Sequence, residues 1–251
     1  MILRDTMLIY RRYLRQTLRN KVAIVFGGLQ PLLYLVFFGP LLTRVSGARG
    51  FGGDAWQVYI PGLLIQLGLF GAGFVGFGLI ADLRFGVLER LRVTPVSRVA
   101  LLLGRVLRDT TVMMVQAVML LAVGVAFGLR APVTGVLAGL VFLVLLAVGV
   151  ASLSYALALW TRHEDAFAPL LMTAILPLML LSGMILPMSM APRWLDLLSH
   201  ANPFRYFVDA VRALFLGHYT AATVWEGALV AVILVVGCVT FGTRRFLDEN
   251  A

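Results

Sequence analysis

Charge is what this chain has least of. Asp, Glu, Lys and Arg make up 13% of its 251 residues, against 61% hydrophobic, so no soluble domain of ordinary size and surface can be built from it. The single cysteine, Cys238, excludes an intrachain disulfide. Within an apolar run it reads as a small buried side chain. The 12 acidic residues are expected in loops, termini or at the ends of apolar runs, as at Asp109 and Glu226, with none near mid-membrane. Intramembrane carboxylates usually mark proton or sodium pathways, so an ion-driven carrier fits poorly. There is no GxxxxGK[ST], hence no ATP site of that kind. His163, His200 and His218 form no HExxH or other metal-ligand spacing, and Ser182 and Ser199 lack a GxSxG setting. Neither a catalytic residue nor a metal site is expected, and the chain is not expected to be an enzyme.

What the chain does have is long apolar runs. About 20 residues of helix cross a hydrocarbon core of about 30 Å, because each backbone amide must be satisfied within its own segment. Six runs qualify, approximately 22–42, 59–81, 110–129, 134–160, 166–188 and 224–243. The fold class is therefore all-α and polytopic, with 1–251 as a single transmembrane domain. The first run begins late and lacks a small-residue cleavage site, so it is expected to be retained. Pro31, Pro61, Pro169 and Pro177 are places where helices can bend.

Orientation follows from the basic residues, since Lys and Arg in short loops stay cytoplasmic. With the N-terminus inside, Arg4, Arg11, Arg12, Arg15, Arg19, Lys21, Arg84, Arg90, Arg92, Arg98, Arg105, Arg108, Arg162, Arg244 and Arg245 lie inside, 15 of the 21. Both termini are then cytoplasmic. The net charge of +9 is a topology signal, and nucleic-acid binding is a poor reading of it.

Ahead of the first run, residues 1–21 predict an interfacial helix. Leu3, Met7, Tyr10, Leu14 and Leu18 repeat at spacings of three and four, beside Arg4, Arg11, Arg15 and Arg19. Such a helix lies among headgroups with its arginines toward lipid phosphates. In the second run Gly71, Gly73 and Gly76 spell GxGxxG. The setting is expected to be an uninterrupted apolar helix, without the strand that a dinucleotide site needs. Gly68, Ala72 and Gly76, spaced by four, instead let helices approach closely, as do Gly124 with Gly128 and Gly135 with Gly139. Mid-run polarity is limited to groups such as Gln30, Gln66, Gln116, Ser152, Ser154, Thr173 and Ser182.

Two further segments are organised beyond what loops need. Residues 82–98 read DLRFGVLERLRVTPVSR: Leu83, Val87 and Leu91 fall one turn apart, and Thr94 before Pro95 ends the helix. On the cytoplasmic side this is a candidate docking element. Residues 191–217 predict a helical hairpin on the outer side. Pro192, Arg193 and Trp194 begin a short helix; Asn202 caps a second with Pro203 at its first position. Phe204, Phe207, Val208, Val211 and Phe215 form its apolar face, Arg205, Asp209 and Arg212 follow at i, i+4 and i+7, and Gly217 closes it. Too short and charged to span, the hairpin should dip into the outer leaflet or cap the bundle.

The arginine-rich first helix, six runs, the ERLRVTPVSR segment after the second and LSHANPFRYFVDAVRALFLG before the sixth together resemble the ABC type-2 membrane family. The likeness extends over essentially the whole chain and is strongest to the drug-resistance and multidrug-type permeases of bacteria. The resemblance implies a type V exporter fold in the bacterial cytoplasmic membrane, paired with a second copy or a paralogous permease, with the translocation path at the dimer interface. ATP and Mg would belong to a separate ATP-binding subunit, so this chain would hold no cofactor. By position, Glu89, Arg90, Leu91, Arg92, Thr94 and Pro95 match the family's coupling helix, and Asn202, Pro203, Tyr206, Asp209 and Arg212 its outer re-entrant helices. The cargo implied is a hydrophobic drug or lipid-like compound moved outward; the same family also exports lipid-linked polysaccharide. Composition alone leaves open a membrane scaffold or sensor without transport.

Overall fold

A computed structural model describes residues 2–19, 21–45, 54–86 and 97–248. Apart from one 3-10 turn at Met188–Met190, every regular element among them is an α-helix: α1 Ile2–Arg19, α2 Lys21–Val45, α3 Ala55–Gly73, α4 Gly76–Arg84, α5 Arg98–Ala126, α6 Val133–Thr161, α7 Glu164–Leu181, α8 Arg193–Ser199, α9 Pro203–Phe215 and α10 Ala222–Asp248. Five stretches among the described residues are long and apolar enough to cross a membrane: Ala55–Arg84, Val99–Ala126, Val133–Thr161, Glu164–Leu181 and Ala222–Arg245. The protein is a multi-pass membrane protein. The run expected at 22–42 is helical as α2 over Lys21–Val45, with Pro31 and Pro40 inside it.

α3 forms the axis of the bundle. Ile60, Leu64 and Ile65 are fully buried, and α2, α5, α6 and α9 pack around it. The long helices alternate in direction. α3 begins at the end capped by α9, where Arg212 holds the Val58 carbonyl, and α4 carries Asp82, close to its end, to Tyr13 of α1. α5 returns, bringing Phe127 to 5.6 Å from Trp56; α6 starts with Gly135 against the Leu214 carbonyl and ends near the Arg84–Glu164 pair, 3.4 Å apart. α1 and α9 therefore sit at opposite ends.

Several expectations change. The second run is not uninterrupted: α3 stops at Gly73 and α4 starts at Gly76. The Ser154 hydroxyl, from α6, bridges the break by donating to the Gly73 carbonyl at 2.5 Å and accepting from the Gly76 N–H at 3.0 Å. The third run starts earlier, at Arg98, because Ser97 caps it by accepting from the Ala100 N–H. Asp109 consequently lies well inside α5, buried, and not at a span end. The fifth run ends at Leu181 instead of 188, where Gly183 takes φ +75° and turns the chain. Pro31, Pro61, Pro169 and Pro177 all lie within continuous helices. Cys238 is half-buried on α10.

Candidate functional site

At the α1 end, three side chains from three helices meet. Arg105 of α5 is 1% exposed and donates to Asp82 Oδ2 of α4 at 2.6 Å and to the Tyr13 hydroxyl of α1 at 2.5 Å. Tyr13 in turn donates to Asp82 Oδ2 at 3.1 Å, and the guanidinium carbon lies 4.5 Å from its ring centroid. Burial pushes the Tyr13 phenol up, against the pull of Arg105, so it stays a neutral donor. Ile9, Tyr13 and Leu101 bury a small apolar cluster beside the triad. Gly104 admits α1: a methyl there would meet Ile9 Cγ2 at 2.6 Å. Of the apolar stripe, Leu3, Met7 and Leu18 are exposed and Tyr10 and Leu14 half-buried, with the Tyr10 hydroxyl 3.3 Å from Thr111 Oγ1, while Ile9 and Tyr13 are buried against α5.

One turn deeper, Arg108 pairs with Asp109 at 2.8 Å, and Asp109 accepts a hydrogen bond from the Tyr155 hydroxyl of α6. A buried charge persists only when paired and hydrogen-bonded. The two networks therefore fix α5 against α1, α4 and α6. Sequence reading missed this cluster; the tyrosines facing basic residues on α5 were its only signal.

The small-residue positions lie against α6 and α7. A methyl on Gly68 would meet Leu146 and Leu143 within 2.8 Å, Ala72 is fully buried, and a methyl on Gly76 would meet Phe167 at 2.4 Å. The segment carrying Glu89, Arg90, Leu91, Arg92, Thr94 and Pro95 falls outside the described residues; its flanks are the Asp82–Arg105 pair on one side and Ser97 on the other.

At the opposite end α9 is wedged between α3, α6 and α10. Asn202 Oδ1 accepts from the Phe204 N–H at 3.1 Å while Nδ2 donates to the Leu178 carbonyl at 2.6 Å, tying the cap to α7. Pro203 occupies the first turn. Tyr206 donates to the His200 carbonyl at 3.0 Å, closing the α8–α9 turn. Arg212 donates to the carbonyls of Val58 at 2.8 Å and Gly183 at 2.7 Å, with Asp209 at 3.9 Å. Burial lowers its pKa to about 10 and Asp209 opposes that, so it is charged at neutral pH. Burial raises the Asp209 pKa, against the pull of Arg212 and then Arg205.

From the first turn of α1 to the end of α9, residues 4–216, the chain matches the model of the ABC-2 type transporter family. It is 28% identical over 219 residues to a protein of Cyanophora paradoxa named as a transport permease, ycf38, covering 85% of this chain and 74% of the relative. It is 26% identical over 229 residues to the daunorubicin resistance ABC transporter permease protein DrrB1 of Streptomyces coeruleorubidus, covering 89% and 79%. With a protein of Mycobacterium tuberculosis named as the doxorubicin resistance ABC transporter permease DrrC, identity is 23% over 216 residues, covering 85% and 77%. The matched stretch thus takes in both the α1 clamp and the α9 cap, and the chain belongs to the ABC-2 type transporter family.

Proposed function

We propose that this chain is the membrane-spanning permease subunit of an ATP-driven exporter, moving hydrophobic drugs or lipid-like compounds outward. A separate ATP-binding subunit would hold ATP and Mg, and the chain itself would carry neither cofactor nor catalytic site. In this reading α2 completes six spans, and residues 1–251 form one transmembrane domain of the type V exporter kind. The domain sits in a bacterial cytoplasmic membrane with both termini cytoplasmic, α1 among the lipid headgroups and the α8–α9 pair dipping into the outer leaflet. A second copy or a paralogous permease completes the path between them. The relatives named for daunorubicin and doxorubicin resistance support the drug-like cargo.

The Tyr13–Asp82–Arg105 junction carries this reading. Immediately after Asp82 and Arg84 the chain enters the segment with Glu89 to Pro95, where an ATP-binding partner would dock. A push there reaches α1 and α5 together, because sliding one past the other would strip a buried guanidinium of its partners. Closure of the partner could in this way rock the bundle as a lever.

The test is to purify the tagged chain from its host in mild detergent. An ATP-hydrolysing subunit of roughly 30 kDa, one or two domains in size, should accompany it in fixed proportion. Leu91→Asp should release that subunit or leave hydrolysis running without export. A chain that purifies alone, or exports normally with Leu91→Asp, would overturn the assignment.

A further inference from the structure

We infer that each protomer carries its own binding cleft for the uncharged polar head of an amphipathic cargo, formed by α2, α3 and α5 and bearing one glutamine from each. The inference deepens the transport reading above and rests on it for the word cargo.

Between these helices and the start of α4 lies a cleft of about 460 Å³, lined by Gln30 of α2, by Phe70 and Phe74, and by Arg108, Asp109 and Gln116 of α5. That size suits a drug-sized molecule. A recess of about 20 Å³ continues from it past Gln30 and Phe70 to Gln66 of α3. Gln66 is 3% exposed, and its Oε1 is buried with no hydrogen-bond partner among the described residues. An unpaired amide oxygen in such surroundings costs free energy until a donor reaches it. Three amides on three helices thus border the cleft and its recess. Gly27 lets α2 come close to the Gln116 amide: a methyl there would meet Gln116 Nε2 at 2.5 Å.

The lining fixes the chemistry of the guest. Amides offer donors and acceptors together, which suits hydroxyl, carbonyl or amide groups. The two opposite charges present, Arg108 and Asp109, pair with each other at 2.8 Å, so the cleft offers no net opposite charge with which to repay desolvation of an ionic head; the buried Arg108 Nε, which has no hydrogen-bond partner among the described residues, adds a donor for a hydroxyl or carbonyl oxygen. Phe70 and Phe74, with ring centroids 6.0 Å apart, supply an aromatic wall. Gln30 also borders an almost wholly apolar groove of about 400 Å³ along α2, formed by residues such as Leu33, Tyr34 and Phe37. With Gln30 common to both linings, the proposal places the apolar body of the same molecule along that groove while its head reaches the amides.

Binding is measured on the full chain in nanodiscs without nucleotide, by fluorescence titration with three probes sharing one flat ring system. These are a dihydroxyanthraquinone, an anthraquinone bearing an alkylammonium chain and an anthraquinone sulfonate. The neutral probe should bind at least tenfold more tightly than either ion. Gln66→Leu and Gln30→Leu should each weaken it about tenfold while Gly237→Ala, remote from the cleft, changes nothing; Gln30 is exposed, so its variant tests the site even if Gln66→Leu misfolds. Equal affinity in all variants, absence of neutral-probe binding, or preference for an ion would overturn the inference. Since no nucleotide or partner is needed, a failed ATPase assignment moves export and leaves this titration unaffected.

Discussion

Arg212 Nε donates to the carbonyl oxygen of Val58, 154 residues away in the chain, at 2.8 Å. One guanidinium thereby joins α9 to the first turn of α3 and, through the Gly183 carbonyl, to the turn that follows α7. Its flat fork donates to the two carbonyls from two separate nitrogens held in fixed geometry, whereas an ammonium has all its donors on one nitrogen. Arg212→Gln should destabilise the protein by roughly 2 to 4 kcal/mol, since it takes a buried donor from the Gly183 turn carbonyl and leaves Asp209 with one fewer cation. Arg212→Lys should recover only part of that. Thermal unfolding in detergent, followed by intrinsic fluorescence, checks both; a Lys variant as stable as the parent would show that charge alone suffices.

The Asp82–Arg105 pair predicts a strongly non-additive cycle. Asp82→Ala leaves a buried guanidinium without its carboxylate and should cost roughly 3 to 5 kcal/mol. Asp82→Leu with Arg105→Met removes both charges and should cost much less than the sum of the single changes. Tyr13→Phe removes only the hydroxyl and should cost about 1 kcal/mol. Additive effects across the cycle would mean that the pair contributes no coupling.

The apolar runs were legible because a membrane span is a property of a local stretch, for which length and hydropathy suffice; the Ser97 cap that starts α5 twelve residues before the expected run went unread. What stayed hidden depends on partners far away in sequence. Gly71, Gly73, Gly76 and Gly78 surround Phe74 and Val75 without fixing where the helix breaks, because the hydroxyl that stabilises the break comes from Ser154 on another helix. Asn202 and Pro203 advertise a helix start, yet the carbonyl that Asn202 holds belongs to Leu178, and carbonyls leave no mark in a sequence. On α1 the regular Leu3, Met7 and Leu18 stripe masked the less regular edge of Ile9 and Tyr13 that docks. Gln30, Gln66 and Gln116 were visible as isolated polar residues; that they face one space required the fold.

Two glycines of the second span should respond in opposite ways to alanine. On Gly62 a methyl would lie 1.9 Å from the Met184 carbonyl oxygen, a backbone atom held in the turn that Arg212 grips. Gly62→Ala must therefore push α3 from that turn, and overpacking of this kind costs about 1 to 3 kcal/mol. On Gly78 a methyl would meet nothing within 4 Å. Gly78→Ala should stabilise α4 by roughly 0.5 to 1 kcal/mol through reduced backbone freedom in the unfolded chain. Unfolding midpoints moving the same way in both variants would contradict these packing distances.

Two serines two residues apart on α6, and so on different faces, separate a hydroxyl that bridges helices from one that serves its own. Ser152 Oγ donates to the Val148 carbonyl, one turn back in the same helix, at 2.7 Å; that carbonyl is already an acceptor in the helix ladder, so losing the contact strands nothing. Ser154 Oγ satisfies the Gly73 carbonyl and the Gly76 N–H at the α3–α4 break, and both contacts are buried. No water in the apolar interior can replace it. Ser152→Ala should stay within about 0.5 kcal/mol of the parent, whereas Ser154→Ala should cost roughly 1 to 3 kcal/mol. Hydrogen exchange would localise the loss: amides flanking Phe74 and Val75 should lose protection in the Ser154 variant alone. If α3 and α4 instead merge into one straight helix when the hydroxyl is removed, protection there would rise, and the break would be shown to exist only because Ser154 holds it open.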